Sequence, residues 1–173
     1  MDPRDENRMW EIHKLVCDWV KFADQKAGAI LAVQGAVASF AMPAIISHAK
    51  SLAALSFVVI PMAGSLVACV FSCHAAMRVI MPRLSVGAPE SNIFFDHISR
   101  RYDAAEKFRK KALGSLCDES RVRDDLAHQI WANARVASAK HGLVGMSLVW
   151  LTLGMVLALT ATVSNFVYLA LRE

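Results

Sequence analysis

Between Phe94 and Tyr102 the chain places Phe94, Phe95, Arg100, Arg101 and Tyr102 within nine residues. Guanidinium groups clamp phosphate through paired N–H donors, and aromatic rings stack on bases. The pattern therefore suits a small anion that carries a planar ring. The same residue types also make a core aromatic pair beside a solvated basic face, and spacing alone leaves both readings open.

A second group of polar residues lies beside the apolar parts of the chain: Asp24 and Lys26 before the first, Arg78 after the second, Lys140 and His141 before the third. Together they would form a partly desolvated basic ring for an anion, or serve as simple interfacial anchors with Asp24 as their ion-pair partner. The run Lys107, Arg109, Lys110 and Lys111 reads as contact with anionic lipid or as a solubilising face. No glycine-rich phosphate loop, HExxH or GxSxG occurs, so no catalytic residue is assigned and the chain is not expected to be an enzyme. Cys69 and Cys73 share a helix face next to His74, which in an apolar segment reads as packing rather than metal ligation. Cys17 and Cys117 read as solitary, and free thiols throughout fit a reducing compartment.

The elements that must position these groups are set by composition. Of 173 residues, 55% are hydrophobic and 20% charged, with a mean hydropathy of +0.38. The apolar residues are concentrated: Ala27 to Ala49, Ser51 to Met77 and Gly142 to Leu171 contain no Asp, Glu, Lys or Arg. Each stretch exceeds the roughly 20 residues that cross a bilayer as a helix. The fold expected is an all-α integral membrane protein, with three transmembrane helices and a cytoplasmic helical bundle formed by the N-terminal helix and the segment between spans two and three. The corresponding divisions are 1–26, a two-span hairpin at 27–77, a sensor region at 78–141 and a third span at 142–171. A cleavable signal peptide is disfavoured by Asp2, Asp5, Glu6, Glu11, Asp18 and Asp24 ahead of the first apolar run.

Residues 1–26 carry five Lys and Arg and residues 78–141 carry twelve, so 17 of the 19 lie on one side of the three spans. The positive-inside rule makes that side cytoplasmic and the C-terminus periplasmic. The breakers Pro82, Gly87 and Pro89 should precede a helix capped at Ser91 or Asn92; further helices are expected over 104–116 and from Ser120 onward, the last running into the third span. Ile12, Leu15, Val16, Trp19 and Ala23 predict a helix before the first span. Gly28, Ala32, Gly35, Ser39, Gly64, Ala68, Gly154 and Ala158 would let helices approach closely, within one protomer or between copies. Gln34, a lone amide in lipid, must seek a partner.

The wording of the chain adds to this. Phe22-Ala23-Asp24-Gln25-Lys26-Ala27, leading straight into a small-residue helix, resembles the entry motif of the transmembrane effectors of Pycsar antiphage systems. In the same order as in that family follow a tight two-span hairpin, Pro82, the Phe94-Phe95 pair, Asp125-Leu126 with Gln129, and Lys140-His141 before a final span. The resemblance covers nearly the whole chain from about Trp10. It implies a membrane effector activated by 3',5'-cyclic UMP or cyclic CMP, made by a partner pyrimidine nucleotide cyclase. The activated effector would multimerise and impair the bacterial inner membrane. It also marks Asp24, Lys26, Phe95, Gln129 and Lys140 as positions that match the family pattern. The partners expected are thus the cyclic nucleotide, the bilayer and further copies of the chain, with no nucleic acid; no other cofactor and no metal is expected. The competing expectation is a ligand-independent oligomeric scaffold or small channel.

Overall fold

A computed structural model describes residues 3–48, 55–81, 95–116 and 118–170. All described elements are helical and no strand occurs among the described residues: α1 (Pro3–His48), a π-helical turn (Leu55–Val59) running into α2 (Ile60–Ile80), α3 (Phe95–Arg101), α4 (Ala105–Leu116) and α5 (Glu119–Ala170). Three of these helices are long and apolar enough to cross a membrane, so the protein is an all-α membrane protein with three candidate spans. The hairpin turn after His48 and the Pro82–Asn92 breakers lie outside the described residues. The chain divides into two compact units, Met1–Phe22 with Pro82–Lys140, and Ala23–Met81 with His141–Glu173. α1 and α5 contribute residues to both.

The unit of 23–81 and 141–173 is built on small residues. Ala23, Ala27 and Ile30 of α1 pack with Ala76 and Val79 of α2 and with Leu143, Val144 and Leu151 of α5. A second cluster joins Ala41, Met62 and Ala161. Alanines at these contacts bring backbones close, the packing that holds helices together where lipid removes the hydrophobic drive between them. The large apolar residues point outward instead; Phe40 is 79% and Phe166 77% exposed, as side chains facing acyl chains should be.

Close approach lets serines bridge helices. The Ser72 hydroxyl donates to the Ser147 carbonyl at 2.6 Å, and the Ser147 hydroxyl donates back to the Ser72 carbonyl at 2.8 Å. Seven residues earlier on α2, Ser65 donates to the carbonyl of Gly154, seven residues later on α5, at 2.7 Å. Equal steps in opposite directions define antiparallel helices meeting along a seam with a seven-residue repeat. Gly154 suits this approach, because a Cβ would stand 3.3 Å from the Ser65 carbonyl oxygen and 3.5 Å from Cys69 Sγ, so a larger residue would press the two backbones apart. Gln34 finds its partner in the Ser72 hydroxyl. Pro61 closely follows the π-helical turn, the kind of bulge at which a proline interrupts the i→i−4 ladder of a continuing helix.

In the unit of 1–22 and 82–140 the helices are shorter and the charges return. α3 ends on Arg100 and Arg101, and its last carbonyls are used by Tyr102, whose N–H donates to Ile98 at 3.2 Å. α4 carries the exposed pairs Asp103–Lys107 and Glu106–Arg109, which at that exposure contribute little. Asp118 caps α5: its Oδ1 accepts from the Ser120 N–H at 3.1 Å, and those bonds, the Ser120 hydroxyl first, hold its carboxyl below the usual range. Val16, Ala112, Leu126, Ala132 and Ala137 supply buried apolar positions.

Candidate functional site

The expected site residues separate into three groups. Arg100 and Arg101 are exposed at the end of α3, with the Arg101 guanidinium 5.8 Å from the centre of the Tyr102 ring and that ring edge-on to Phe108 at 5.3 Å. Phe95 opens α3, and Phe94 lies outside the described residues. In the membrane unit, Asp24 is half-buried while Lys26 and Arg78 are exposed. Gln129 and Lys140 are the buried members, 3% and 5% exposed, and both belong to α5.

Gln129 and Lys140 share a helix face with Asn133 between them, at steps of four and seven. Asn133 faces α1, where its amide nitrogen lies 3.5 Å from His13 Nε2 and donates to Cys17 Sγ at 3.6 Å. His13 and Cys17 are one turn apart on α1, 3.8 Å from Nε2 to Sγ. A thiol, an imidazole and an amide thus meet across more than a hundred residues of sequence. Cys17, read as solitary from sequence, is not alone. Burial pushes the Cys17 thiol up and the His13 imidazole down from their usual values, directions that favour the neutral form of each and so a polar floor able to donate and accept hydrogen bonds.

Over this floor lies an open groove of about 530 Å³ along one face of α1, lined by Asn7, Trp10, Glu11, His13, Lys14 and Cys17. Trp10 stands edge-on to His13 with ring centres 6.0 Å apart. One wall is therefore an indole, the floor is polar and neutral, and the rim holds one ammonium and one carboxylate. The volume falls in the range of roughly 300–1,000 Å³ that holds small-molecule ligands. One turn before Asn133 on α5, the amide nitrogen of Gln129 is buried with no hydrogen-bond partner, an uncompensated donor of the kind that costs stability until something accepts from it. The helix of 7–17 was legible in sequence, but nothing local announced the meeting of His13 and Cys17 with Asn133.

The membrane unit has its own cavity, of about 340 Å³, lined by Phe57, Val163, Ser164, Val167 and Tyr168; its apolar lining suits hydrocarbon. Among the described residues, no three His, Cys, Asp or Glu side chains group as metal ligands would.

Comparison with known proteins agrees with the reading from sequence motifs. A family model described as the Pycsar effector protein domain matches residues 8–166. The chain is 25% identical over 152 residues to the Pycsar effector protein PtPycTM of Propioniciclava tarda, covering 85% of this chain and 73% of that protein. No solved structure matches.

Proposed function

The chain belongs to the Pycsar effector family, and from that premise we propose that it is an inner-membrane effector of antiphage defence, switched by a 3',5'-cyclic pyrimidine mononucleotide. The observation that carries this reading is the groove that joins Trp10, His13 and Lys14 on the part of α1 that precedes the uncharged run 27–49. A cyclic mononucleotide offers one anionic phosphate, one planar base and a free 2'-hydroxyl. Trp10 stacks the base, Lys14 attracts the phosphate, Glu11 accepts from the ribose hydroxyl, and the neutral His13 side chain and Asn7 hydrogen-bond the base edge.

Switching requires that the ligand favour one arrangement over another. Asn133 ties the groove floor to α5, on the face that also carries Gln129 and Lys140. Ligand seated on His13 and Cys17 would move that row, and the buried Gln129 amide would gain its acceptor in the activated state. Arg100, Arg101 and Tyr102 with Phe94 and Phe95 form an alternative phosphate and base contact; Asp24 and Lys26 would relay the change to the first span. Activated copies multimerise and impair the membrane. The divisions 1–26, 27–77, 78–141 and 142–171, with the N-terminus and 78–141 cytoplasmic, fit this division of labour. A pyrimidine nucleotide cyclase would supply the signal.

The test is calorimetric titration of detergent-purified full-length protein with 3',5'-cUMP, 3',5'-cCMP and 3',5'-cAMP. Saturable binding of one pyrimidine, weakened by Trp10→Ala and by Lys14→Gln but not by Arg100→Ala, is expected. Binding that is lost with Arg100→Ala and Arg101→Ala but kept with Trp10→Ala would move the site to α3. Absence of binding by folded protein would leave the scaffold or channel as the function.

A further inference from the structure

α1 exposes an apolar stripe in its first part, ahead of the uncharged run 27–49. Ile12 is 47%, Leu15 50%, Trp19 47% and Phe22 54% exposed. Their spacing of three, four and three residues is a heptad repeat and puts them on one side of the helix. The residues one position further on, Val16 and Ala23, are buried at 5% and 0%, so the face turned to the protein's own core is a different one, about 100° around the helix. A contiguous stripe of this kind in water marks an interaction surface. Trp131 of the same unit shows the usual alternative, an exposed indole covered by a guanidinium, with Arg135 5.1 Å from its ring centre; among the described residues Trp19 and Phe22 have no ring or cation partner.

The occupant follows from register and charge. The three-four spacing continues in α1 without a slip through Lys26, Ala29, Val33, Ala36 and Phe40, every one of them exposed. Within that continuation, small Ala29 and Ala36 alternate with larger Val33 and Phe40, the size pattern that lets a partner helix seat its large residues over the small ones. A repeat of 3.5 residues kept over that length is the signature of a helix packing along a second helix of the same register. A bilayer surface is a poorer occupant. The charges around the stripe cancel, Arg8 and Lys26 at its two ends against Glu11 and Asp18 along its border, so it lacks the net positive charge that holds a helix to anionic lipid. We propose that the stripe Ile12, Leu15, Trp19 and Phe22 is the surface on which a second copy of this chain docks, in parallel, through its own α1.

The test is site-specific photo-crosslinking of the full-length chain in inner-membrane vesicles, with and without 3',5'-cUMP. Benzoylphenylalanine replaces Leu15 or Trp19, and in a control replaces Lys21, which points away from the stripe. A covalent homodimer from positions 15 and 19, absent from position 21, is expected in at least one of the two conditions. Adducts only to phospholipid or to another protein, equal dimer from position 21, or no dimer in either condition would overturn the proposal. Leu15→Gln and Trp19→Glu provide an independent reading: whichever keeps the helix content and thermal midpoint of the parent should lose the dimer on sizing. A folded variant that keeps the dimer would also overturn the proposal.

Discussion

The two units join their helices through different polar contacts. In the membrane unit the Ser72 and Ser147 hydroxyls exchange bonds with each other's carbonyls, Ser65 bonds to the Gly154 carbonyl, and Gln34 reaches Ser72. Every hydroxyl in that seam is spent on holding helices together. In the other unit the thiol, imidazole and amide of Cys17, His13 and Asn133 meet at 3.5–3.8 Å beside an open groove. Buried amide atoms without a partner occur in both units, Gln34 Oε1 and Asn165 Oδ1 in one and Gln129 Nε2 in the other, so the difference lies in the bonds that are made: short hydroxyl bonds between close-packed helices hold the fold, and longer contacts beside an open groove can yield to a ligand.

The contrast breaks most sharply at Gly154. Gly154→Val pushes a branched side chain against the Ser65 carbonyl, and overpacking of this kind costs about 1–3 kcal/mol; Gly145→Val, which meets no atom within 4 Å, should lack this overpacking cost. Denaturant titration in micelles would show the difference. Trp10→Ala should do the reverse, leaving that unfolding curve in place while raising the Kd for the pyrimidine nucleotide by the stacking term of about 1–3 kcal/mol, or roughly five- to 150-fold. Equal effects on stability and binding would erase the distinction between the units.

Smaller changes sharpen it. Ser72→Ala removes a hydroxyl that serves both α1 and α5 and should cost about 1 kcal/mol, the usual scale for bonds between membrane helices. Thr152→Ala, whose hydroxyl bonds to Leu148 one turn back in its own helix, should cost much less in the same titration. His13 provides a pH test. Its folded pKa lies below the ordinary 6.5, so the unfolded chain takes up a proton first as pH falls. The contribution of neutral His13 is complete above 6.5 and is lost as pH drops from there through the folded value. His13→Gln should flatten the thermal midpoint over that window. The smallest effect is expected from Asp118→Ala, which frees the Ser120 and Arg121 N–H groups and should speed amide exchange in the first turn of α5 alone.

How much of this was legible in the sequence differs from residue to residue. Gln34 announced its need for a partner, because an amide in lipid is costly wherever it sits, but eight or more serines could have answered and only packing chose Ser72. The small-residue positions were visible as a set. That Gly154 faces a carbonyl while Gly28 and Gly35 face open space depended on which side of each helix turned inward. Helix starts were legible to within a residue where capping chemistry is local: α4 begins at Ala105 and α5 at Glu119, against expected starts at 104 and Ser120. The group of His13, Cys17 and Asn133 was not, since its members are separated by up to 120 positions in sequence and no short motif joins them.

Run length, charge distribution and motif order determined by themselves that this chain is helical, that it has three spans, and to which family it belongs. These properties are sums over neighbouring residues, and lipid amplifies them by penalising every charge and unpaired peptide group in its interior. Tertiary structure alone decided which hydroxyls close the membrane seam, which thiol meets which imidazole, and which stripe of α1 remains uncovered. Each of those depends on the rotation of one helix about its axis against another, which a single helix's sequence leaves free and only mutual packing sets.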